Sequence, residues 1–269
     1  MSNKLDNSED SQTLSPKNNS AIFVVGQSQN IGKRSQQQDA YGFSFGSNIK
    51  GSLFMVADGM GGMEFGDIAS HFTVDFIKDD FDKKSEMQDI PNYFIEILKE
   101  ANNRVFDFAS EKDLAGGVGT TFVGIVIQKD KLYWASIGDS RIYLYKNSYL
   151  TQLSFDHVYL NELNKKVQQG EITIKQALSH REKGFLTSYL GVENLQEIDY
   201  NIKPYILEKG DKIVLCSDGI YGVLSEAEFC EHLSKDPQTC SNDIVKAILA
   251  KKIDSQDNLT IITIEYRGE

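Results

Sequence analysis

Apolar residues along this chain recur with two different spacings, and the alternation between them predicts a mixed fold. Short, nearly continuous apolar runs bounded by glycines and polar turn residues are typical of strands. Such runs cover residues 22–26, 40–45, 52–57, 120–128, 131–137, 141–145, 197–207, 212–217 and 258–266. The short turn at 128–131 favours an antiparallel hairpin between two of them.

Helical spacing follows a glycine-rich turn at 59–62 and begins again near Pro91. Ile68, Phe72 and Phe76 recur every four residues and predict the buried stripe of a first helix. The second predicted helix has apolar residues three or four positions apart, at Phe94, Leu98, Ala101, Val105 and Phe108.

Two further helices are predicted near the C-terminal end. Ser225 is followed three residues later by Glu228, a spacing that indicates a capping box at the start of a helix over 225–232. Residues 242–250 form the other predicted helix, directly before the last strand.

These elements predict an α+β fold in which two antiparallel β-sheets pack face to face with α-helices outside. Such a sandwich would bury both the near-continuous apolar strands and the helix stripes. We expect a single domain over residues 21–269, because the chain shows neither an internal repeat nor a second boundary. The polar, weakly periodic stretch around 156–190 predicts a mobile, partly helical insertion over the surface.

Composition narrows the possible partners. The 269 residues are 40% hydrophobic and 25% charged, as in ordinary globular proteins. The net charge of -11 disfavours nucleic acids and anionic membranes, which require basic patches. The longest apolar runs, such as 122–127, are far too short to cross a bilayer. We therefore expect neither a nucleic-acid nor a membrane partner.

Both the N-terminus and the cysteines favour a cytoplasmic protein. Residues 1–20 are polar and contain no apolar segment of a secretory signal, so they predict a disordered tail. The three cysteines, Cys216, Cys230 and Cys240, are odd in number and lack Cys-x-x-Cys spacing, which indicates reduced thiols.

Four aspartates each lie where an apolar strand is predicted to give way to a turn or loop: Asp58, Asp139, Asp218 and Asp257. A fold that gathers these positions at one sheet edge would crowd four carboxylates, whose repulsion needs a counter-charge. Hard divalent cations supply it, because Mg²⁺ and Mn²⁺ prefer oxygen ligands. The pattern therefore predicts a multi-metal hydrolase.

Six short blocks make this prediction more specific, and they occur in the order RSQQQD (34–39), ADGMGG (57–62), GTT (119–121), GDSR (138–141), SDG (217–219) and DNLT (257–260). In order and spacing they resemble the metal-dependent protein Ser/Thr phosphatases of the type 2C, or PPM, family over about residues 22–266. The resemblance implies the sandwich fold described above. It also implies hydrolysis of phosphoserine and phosphothreonine with Mn²⁺ or Mg²⁺.

The resemblance implies a role for each aspartate. Asp58 would bridge two metals that hold a hydroxide for in-line attack on phosphorus. Gly59 would offer its backbone carbonyl to one metal, and Asp218 and Asp257 would complete the shell of the other. Asp139, with Asp218, matches a third metal position. Alternatively, Asp139 caps the turn between two strands while the arginine two residues later faces solvent.

Arg34 matches the family's phosphate-binding arginine, and guanidinium suits phosphate oxygens because it binds them bidentately. An exposed surface arginine next to Lys33 is the alternative. Asp39 would order water around the metals. At the position of Gln38 the family has Glu or Gln, and an acid there contacts metal-bound water. The neutral Gln38 therefore predicts weaker binding of one metal than in acidic members. Gln37 also departs from the usual Asn.

Met60 occupies a position where animal members of the family carry a histidine that is a candidate general acid, and bacterial members carry Met. The proton for the leaving oxygen would then come from metal-bound water. His157 and His180 lie in or beside the insertion, and solvated surface histidines are the favoured interpretation. The insertion around 156–190 corresponds to the family's flap, which contributes to substrate selection, although its sequence departs from the common bacterial one.

The leading hypothesis is a monomeric bacterial phosphatase that acts on phosphorylated proteins and opposes a cognate Ser/Thr kinase. A phosphoprotein-binding relative without metals is a second hypothesis, disfavoured because Asp58, Asp218, Asp257 and Arg34 are intact. A binuclear enzyme for small phosphoesters is a third, and the chain's four histidines disfavour the His-rich sites of that class.

Overall fold

The computed structural model describes residues 22–61 and 65–268. The predicted tail over 1–20 therefore lies outside the described residues, as does Gly62. The elements are β1 (Phe23–Asn30), β2 (Asp39–Ser44), β3 (Ser52–Gly61), α1 (Gly66–Lys83), α2 (Ile90–Glu111), β4 (Val118–Thr120), β5 (Phe122–Gln128), β6 (Lys131–Ile137), β7 (Arg141–Lys146), β8 (Tyr149–Gln152), α3 (Tyr159–Gln168), α4 (Ile174–Ser179), β9 (Asp199–Tyr200), β10 (Tyr205–Ile206), β11 (Lys212–Cys216), α5 (Glu226–Leu233), α6 (Pro237–Ala250) and β12 (Leu259–Tyr266).

Two antiparallel sheets form the centre of the molecule. One has the order β1-β12-β11-β7-β8. The other has the order β10-β6-β5-β3-β2, with β4 paired to β3 and β9 paired to β6. Helices α1 and α2 cover the second sheet, and α5 and α6 cover the first. The predicted α+β sandwich flanked by helices is confirmed.

The apolar strands are nearly continuous because both of their faces are buried. Along β3, Phe54 and Val56 face the other sheet, whereas Leu53 and Met55 face the helices. Along β11, Leu215 faces the other sheet while its neighbours face α5 and α6. Side chains alternate between the two faces of a strand, so a strand covered on both sides needs apolar residues at every position.

The predicted apolar stripe of the first helix is wrong. Ile68 is 42% exposed and Phe72 is 37% exposed. The buried residues of α1 are Gly66, Ala69, Ser70, Thr73, Val74, Ile77 and Phe81. This face is also spaced at helical intervals, and its smaller residues let α1 lie close to β2 and β3. The second helix follows its prediction, and Phe94 and Leu98 are fully buried.

Element boundaries differ from the prediction where polar residues or proline intervene. Residues 197–207 contain only the two-residue strands β9 and β10. Helix α6 begins at Pro237, five residues before the predicted start, because Asp236 caps it and proline suits a first helical turn. The capping box at Ser225 is confirmed, since its hydroxyl accepts from the Glu228 N–H and both its N–H and its hydroxyl donate to the Glu228 carboxylate.

The predicted insertion around 156–190 holds α3 and α4, which agrees with a partly helical segment. Three of its apolar residues are exposed, Ile174, Leu178 and Phe185, whereas Leu163, Ala177 and Leu190 are buried. None of the helices in the described part of the chain has the length and apolar content needed to cross a bilayer. The three cysteines are free thiols, as predicted.

The fold predicts where a core substitution should be most costly. Phe54 is fully buried between the sheets and contacts the rings of Phe23, Phe43 and Phe45 at centroid distances of 5.6–6.3 Å. We expect Phe54→Ala to lower the free energy of unfolding by about 3–5 kcal/mol. Phe185→Ala, which truncates an exposed phenylalanine, should change it by less than about 0.5 kcal/mol in the same urea titration. Equal effects would contradict this packing.

Candidate active site

Strand register brings the first pair of aspartates together. Asp39, the first residue of β2, lies directly opposite Asp58 on β3. The prediction that Asp58 ends a strand is wrong, because β3 continues to Gly61. Asp58 instead lies where β3 changes partner: its pairing with β5 ends at Val56 and its pairing with β4 begins at Gly59.

The first sheet brings the other aspartates to the same region. Cys216, at the end of β11, pairs with Arg141 at the start of β7 and with Ile261 near the start of β12. The loops attached to these three strand ends carry Asp139, Asp218 and Asp257. The Ser217 hydroxyl then joins the two sheets by donating to the Asp39 carboxylate at 2.7 Å.

Burial and mutual repulsion both raise the pKa values of these carboxyls. Burial raises the pKa of Asp58 well above its usual range, and the charges of Asp39, Asp218, Asp139 and Asp257 raise it further. Burial also raises the pKa of Asp139 to about 7, with added repulsion from Asp218. The pKa of Asp39 is raised to about 6 by burial, although hydrogen bonds oppose the rise. Each of these carboxyls is harder to ionise in the folded state than in water.

The backbone of Asp58 is fixed by two threonines. Its N–H donates to the Thr121 hydroxyl at 3.0 Å, and its carbonyl accepts from the Thr121 N–H and the Thr120 hydroxyl, each at 2.9 Å. Thr121 also shares a 2.7 Å hydrogen bond with Ser140, beside Asp139. The predicted continuous strand over 120–128 is interrupted at Thr121 for this reason, since that residue contacts two site loops instead of extending the ladder.

Two glycines allow the site loops to meet. A Cβ on Gly59 would lie 2.0 Å from the Gly66 carbonyl oxygen at the start of α1 and 2.7 Å from the Gln38 carbonyl oxygen. A Cβ on Gly219 would lie 2.0 Å from the Asn258 carbonyl oxygen. Contacts this short with backbone atoms exclude any side chain, so the Asp-Gly pairs serve close approach of the backbone.

Arg34 lies at the edge of this group on an exposed loop. Its side chain is 57% exposed, and its Nη2 atom donates to Oδ2 of Asp257 at 2.5 Å. Arg34 is therefore exposed, as the alternative expects, but it is paired with Asp257. Gln38 also lies in the site: its carbonyl accepts from the Gly59 N–H at 3.0 Å and its amide donates to the Gly61 carbonyl at 3.3 Å.

The oxygen atoms of these aspartates are of the chemical type that divalent cations bind. Oδ1 of Asp39 and Oδ1 of Asp218 are buried and have no hydrogen-bond partner, which is costly unless a cation or water satisfies them. Carboxylate oxygens are the ligands preferred by Mg²⁺ and Mn²⁺. Within residues 22–61 and 65–268, no three His, Cys, Asp or Glu side chains are already arranged to hold an ion.

Comparison with known proteins assigns the family. The family model described as protein phosphatase 2C matches residues 26–254, which is most of the chain. The chain belongs to the protein phosphatase 2C family. The sequence resemblance is thereby confirmed, and the chain is a metal-dependent protein serine/threonine phosphatase.

Relatives of this phosphatase come from bacteria. It is 33% identical to a serine/threonine phosphatase of Listeria innocua over 82% of this chain and 87% of that protein. Its fold matches the serine/threonine phosphatase of S. agalactiae with a TM-score of 0.80 and 28% identity, covering 92% of this chain and all of that one. The catalytic domain of the phosphatase PstP, solved with two manganese ions, shares the fold at 21% identity and a TM-score of 0.72 over 91% of this chain and 99% of that domain.

The predicted exposure of His157 in this phosphatase is wrong. The predicted solvated histidine is buried, with 4% exposure, and burial lowers its pKa. Its Nδ1 atom accepts from the Gly138 N–H at 3.0 Å, and the backbone N–H of His157 donates to the Gly138 carbonyl at 2.8 Å. His157 is therefore a neutral side chain that fixes the turn before Asp139. The second histidine, His180, is partly exposed, and its ring lies 5.4 Å from that of Tyr159.

The Asp139 turn is also held from the other side. Arg141 makes a bidentate ion pair with Asp156 at 2.7–3.1 Å, so the alternative in which this arginine faces solvent is wrong. The guanidinium lies 3.6 Å from the ring centroid of Tyr221, whose hydroxyl donates to the Asp139 carbonyl at 2.8 Å. The sequence feature that could have indicated this contact is Tyr221, three residues after Asp218, and the sequence predictions do not include it.

The raised pKa of Asp139 predicts a pH-dependent stability of the metal-free protein. A folded-state pKa near 7, against 3.8 when unfolded, contributes stability below pH 4 that is lost as the pH rises through 7. We expect Asp139→Asn to remove this penalty and raise the Tm in EDTA at pH 8 by about 2–4 °C, with little gain at pH 5. Thermal unfolding of both proteins at the two pH values checks this, and an equal gain at pH 5 would contradict it.

Proposed function

We propose that this phosphatase hydrolyses phosphoserine and phosphothreonine in proteins with two divalent cations, Mn²⁺ or Mg²⁺, held by Asp58, Asp218, Asp257 and the Gly59 carbonyl. The observation that supports this site is the placement of Asp58 directly opposite Asp39, with Oδ1 of Asp39 and Oδ1 of Asp218 buried and without hydrogen-bond partners, an arrangement in which the pKa of Asp58 is raised. Such crowding is unfavourable without counter-charge, and it is useful where cations supply that charge. Two bound cations would activate a water for in-line attack and neutralise charge developing on the phosphate.

Arg34 is proposed to bind the phosphate oxygens of the substrate. Its side chain is more than half exposed and lies against Asp257, so it can reach a phosphate held at the same edge. Guanidinium offers paired N–H donors that match two phosphate oxygens. A cation held by Asp257 would weaken the ion pair of that carboxylate with Arg34, and the guanidinium could then bind phosphate.

Asp139 is proposed to hold a third cation together with Asp218, and Asp39 to orient water at the site. Asp218 raises the pKa of Asp139 through its charge, which supports a shared cation between them. The buried Asp39 is held by the Ser217 hydroxyl and keeps one free oxygen toward such a water. The neutral Gln38 is proposed to weaken the binding of one cation compared with acidic relatives.

Water is the proposed source of the proton for the leaving serine or threonine oxygen. His157 is a poor donor because it is buried, its pKa is lowered, and its Nδ1 atom already accepts a hydrogen bond. Met60, partly buried on β3, has no proton to give.

We also propose the extent of the domain, its partners, its location and its oligomeric state. The phosphatase domain is proposed to span residues 21–269, with a substrate-selecting flap around 156–190. Its partners are proposed to be phosphorylated proteins and a cognate Ser/Thr kinase, and the protein is proposed to act as a cytoplasmic monomer. Serine/threonine phosphatases of Listeria and Streptococcus are the relatives that support these proposals.

Asp218→Asn tests the metal site. Losing one carboxylate charge should weaken Mn²⁺ binding and lower kcat/KM for a phosphothreonine peptide at least about 100-fold, because the remaining ligands no longer balance the cations. Mn²⁺ titration calorimetry and peptide hydrolysis measure the two effects, with EDTA expected to abolish turnover. Asp75→Asn, on the exposed side of α1, is the matched control. Wild-type Mn²⁺ affinity and activity in Asp218→Asn would refute the site.

Arg34→Ala tests the phosphate ligand. We expect KM for the phosphopeptide to rise about tenfold, with a smaller decrease in kcat, because Arg34 contacts phosphate in ground state and transition state alike. Lys33→Ala removes the neighbouring exposed cation and should leave KM unchanged. Equal KM values for Arg34→Ala and wild type would place Arg34 outside the phosphate site.

A further inference from the structure

The loop that carries Arg34 has little regular structure of its own. Between β1 and β2 the chain passes through residues 31–38, of which 33–36 are exposed. An arginine on such a loop loses much of its binding energy to disorder unless the backbone is fixed, because ordering residues on binding costs free energy. The groups that hold this backbone in place therefore determine how well Arg34 is positioned.

Asn258 holds the loop at three points. Its Oδ1 atom accepts from the Gln38 N–H at 2.8 Å. Its Nδ2 atom donates to the Ile31 carbonyl at 2.9 Å and to the Gln36 carbonyl at 3.0 Å. The side chain is buried, with 4% exposure, so these bonds are shielded from water. One side chain thus bridges the beginning and the end of the Arg34 loop.

The residues beside Asn258 complete this support. The Lys33 N–H donates to the Gln256 carbonyl at 2.9 Å, and the Arg34 guanidinium contacts Asp257. Segment 256–258 therefore forms a floor under the loop, directly before β12. Because β12 is an internal strand of its sheet, between β1 and β11, the floor is attached at one end to the core.

The three bonds require an amide at this position. They need one acceptor and two donors at the end of a short side chain, which asparagine supplies. An aspartate would keep the acceptor but would set a carboxylate oxygen against two carbonyl oxygens. An alanine would leave one N–H and two carbonyls without these partners, a loss that buried groups tolerate poorly.

We propose that Asn258 is a positioning residue that fixes the loop over residues 31–38 so that Arg34 meets the substrate phosphate. This inference rests on the proposed role of Arg34 in phosphate binding. Asn258 acts through the loop and not through the neighbouring Asp257, whose Oδ1 atom accepts from the backbone N–H of Asn258 at 2.8 Å. Substitution of the Asn258 side chain leaves that backbone bond in place.

Asn201 supplies a closely matched control. Its Oδ1 atom also accepts from one backbone N–H, that of Trp134, and its Nδ2 atom donates to two carbonyls, those of Leu132 and Lys203. It is 9% exposed and contacts the first half of β6, whereas Asp139 follows the other end of that strand. Loss of Asn201 should cost stability as loss of Asn258 does, without affecting phosphate binding.

The experiment compares Asn258→Ala, Asn258→Asp and Asn201→Ala with the wild type in three measurements. Hydrogen exchange of the 31–38 segment is followed in EDTA, which separates loop order from metal binding and turnover. Kinetics with Mn²⁺ give kcat and KM for a phosphothreonine peptide and the inhibition constant of inorganic phosphate. Titration calorimetry gives the Mn²⁺ affinity.

In both Asn258 variants we expect faster exchange of 31–38 and roughly tenfold increases in KM and in the phosphate inhibition constant, because the loop no longer holds Arg34 in place. Mn²⁺ affinity should change by less than about twofold. In an Arg34→Ala background, Asn258→Ala should raise KM no further, since coupled residues are not additive. Asn201→Ala should leave exchange of 31–38 and KM as in the wild type.

Each contrary result points to a different failure. Unchanged exchange of 31–38 in Asn258→Ala would overturn the tether itself. Faster exchange with unchanged KM, or a weakened Mn²⁺ affinity that persists in the Arg34→Ala background, would overturn the positioning of Arg34. If Arg34→Ala itself leaves KM unchanged, the proposed phosphate role fails and this inference fails with it, whereas the exchange measurement still decides whether Asn258 orders the loop.

Discussion

Mutual repulsion among five carboxylates is the constraint on which the rest of this structure depends. Asp39, Asp58, Asp139, Asp218 and Asp257 come from two sheets, and burial together with like charge raises the pKa of most of them. A chain left to relax would spread such charges apart. Here the antiparallel strands hold them together, because Asp39 and Asp58 are paired in register and the loops at the adjacent ends of β7, β11 and β12 carry the other three.

Neutral groups carry out the holding. Backbone atoms around the aspartates are gripped by Thr121, His157, Tyr221 and Asn258, and glycines let the loops touch. None of these four side chains adds charge to the site, and the hydrogen bonds by which they hold it are made to backbone atoms, not to carboxylate oxygens of the aspartates. The arrangement is therefore preorganised in its backbone, while its electrostatics remain unsatisfied until cations bind.

This division has a consequence for stability. The apolar layer between the sheets and the two layers under the helices stabilise the fold against the electrostatic strain at the site edge. Membership of the protein phosphatase 2C family accounts for the strain, since the site is built for cations that phosphoryl transfer requires. A hydrolytic site whose carboxylate charges were already balanced without metal would bind metal weakly.

The sequence by itself determined the fold class, the family and the identity of the candidate ligands, because apolar periodicity and short Asp-Gly blocks are local features. It did not determine which face of α1 is buried, since the stripe through Ile68 and the stripe through Ala69 both have helical spacing and only contact with the sheet decides between them. It also missed His157, Tyr221 and Asn258 as supports of the site. Their partners lie 19 to 227 residues away along the chain, and only the packing of the two sheets brings such distant groups within hydrogen-bonding distance.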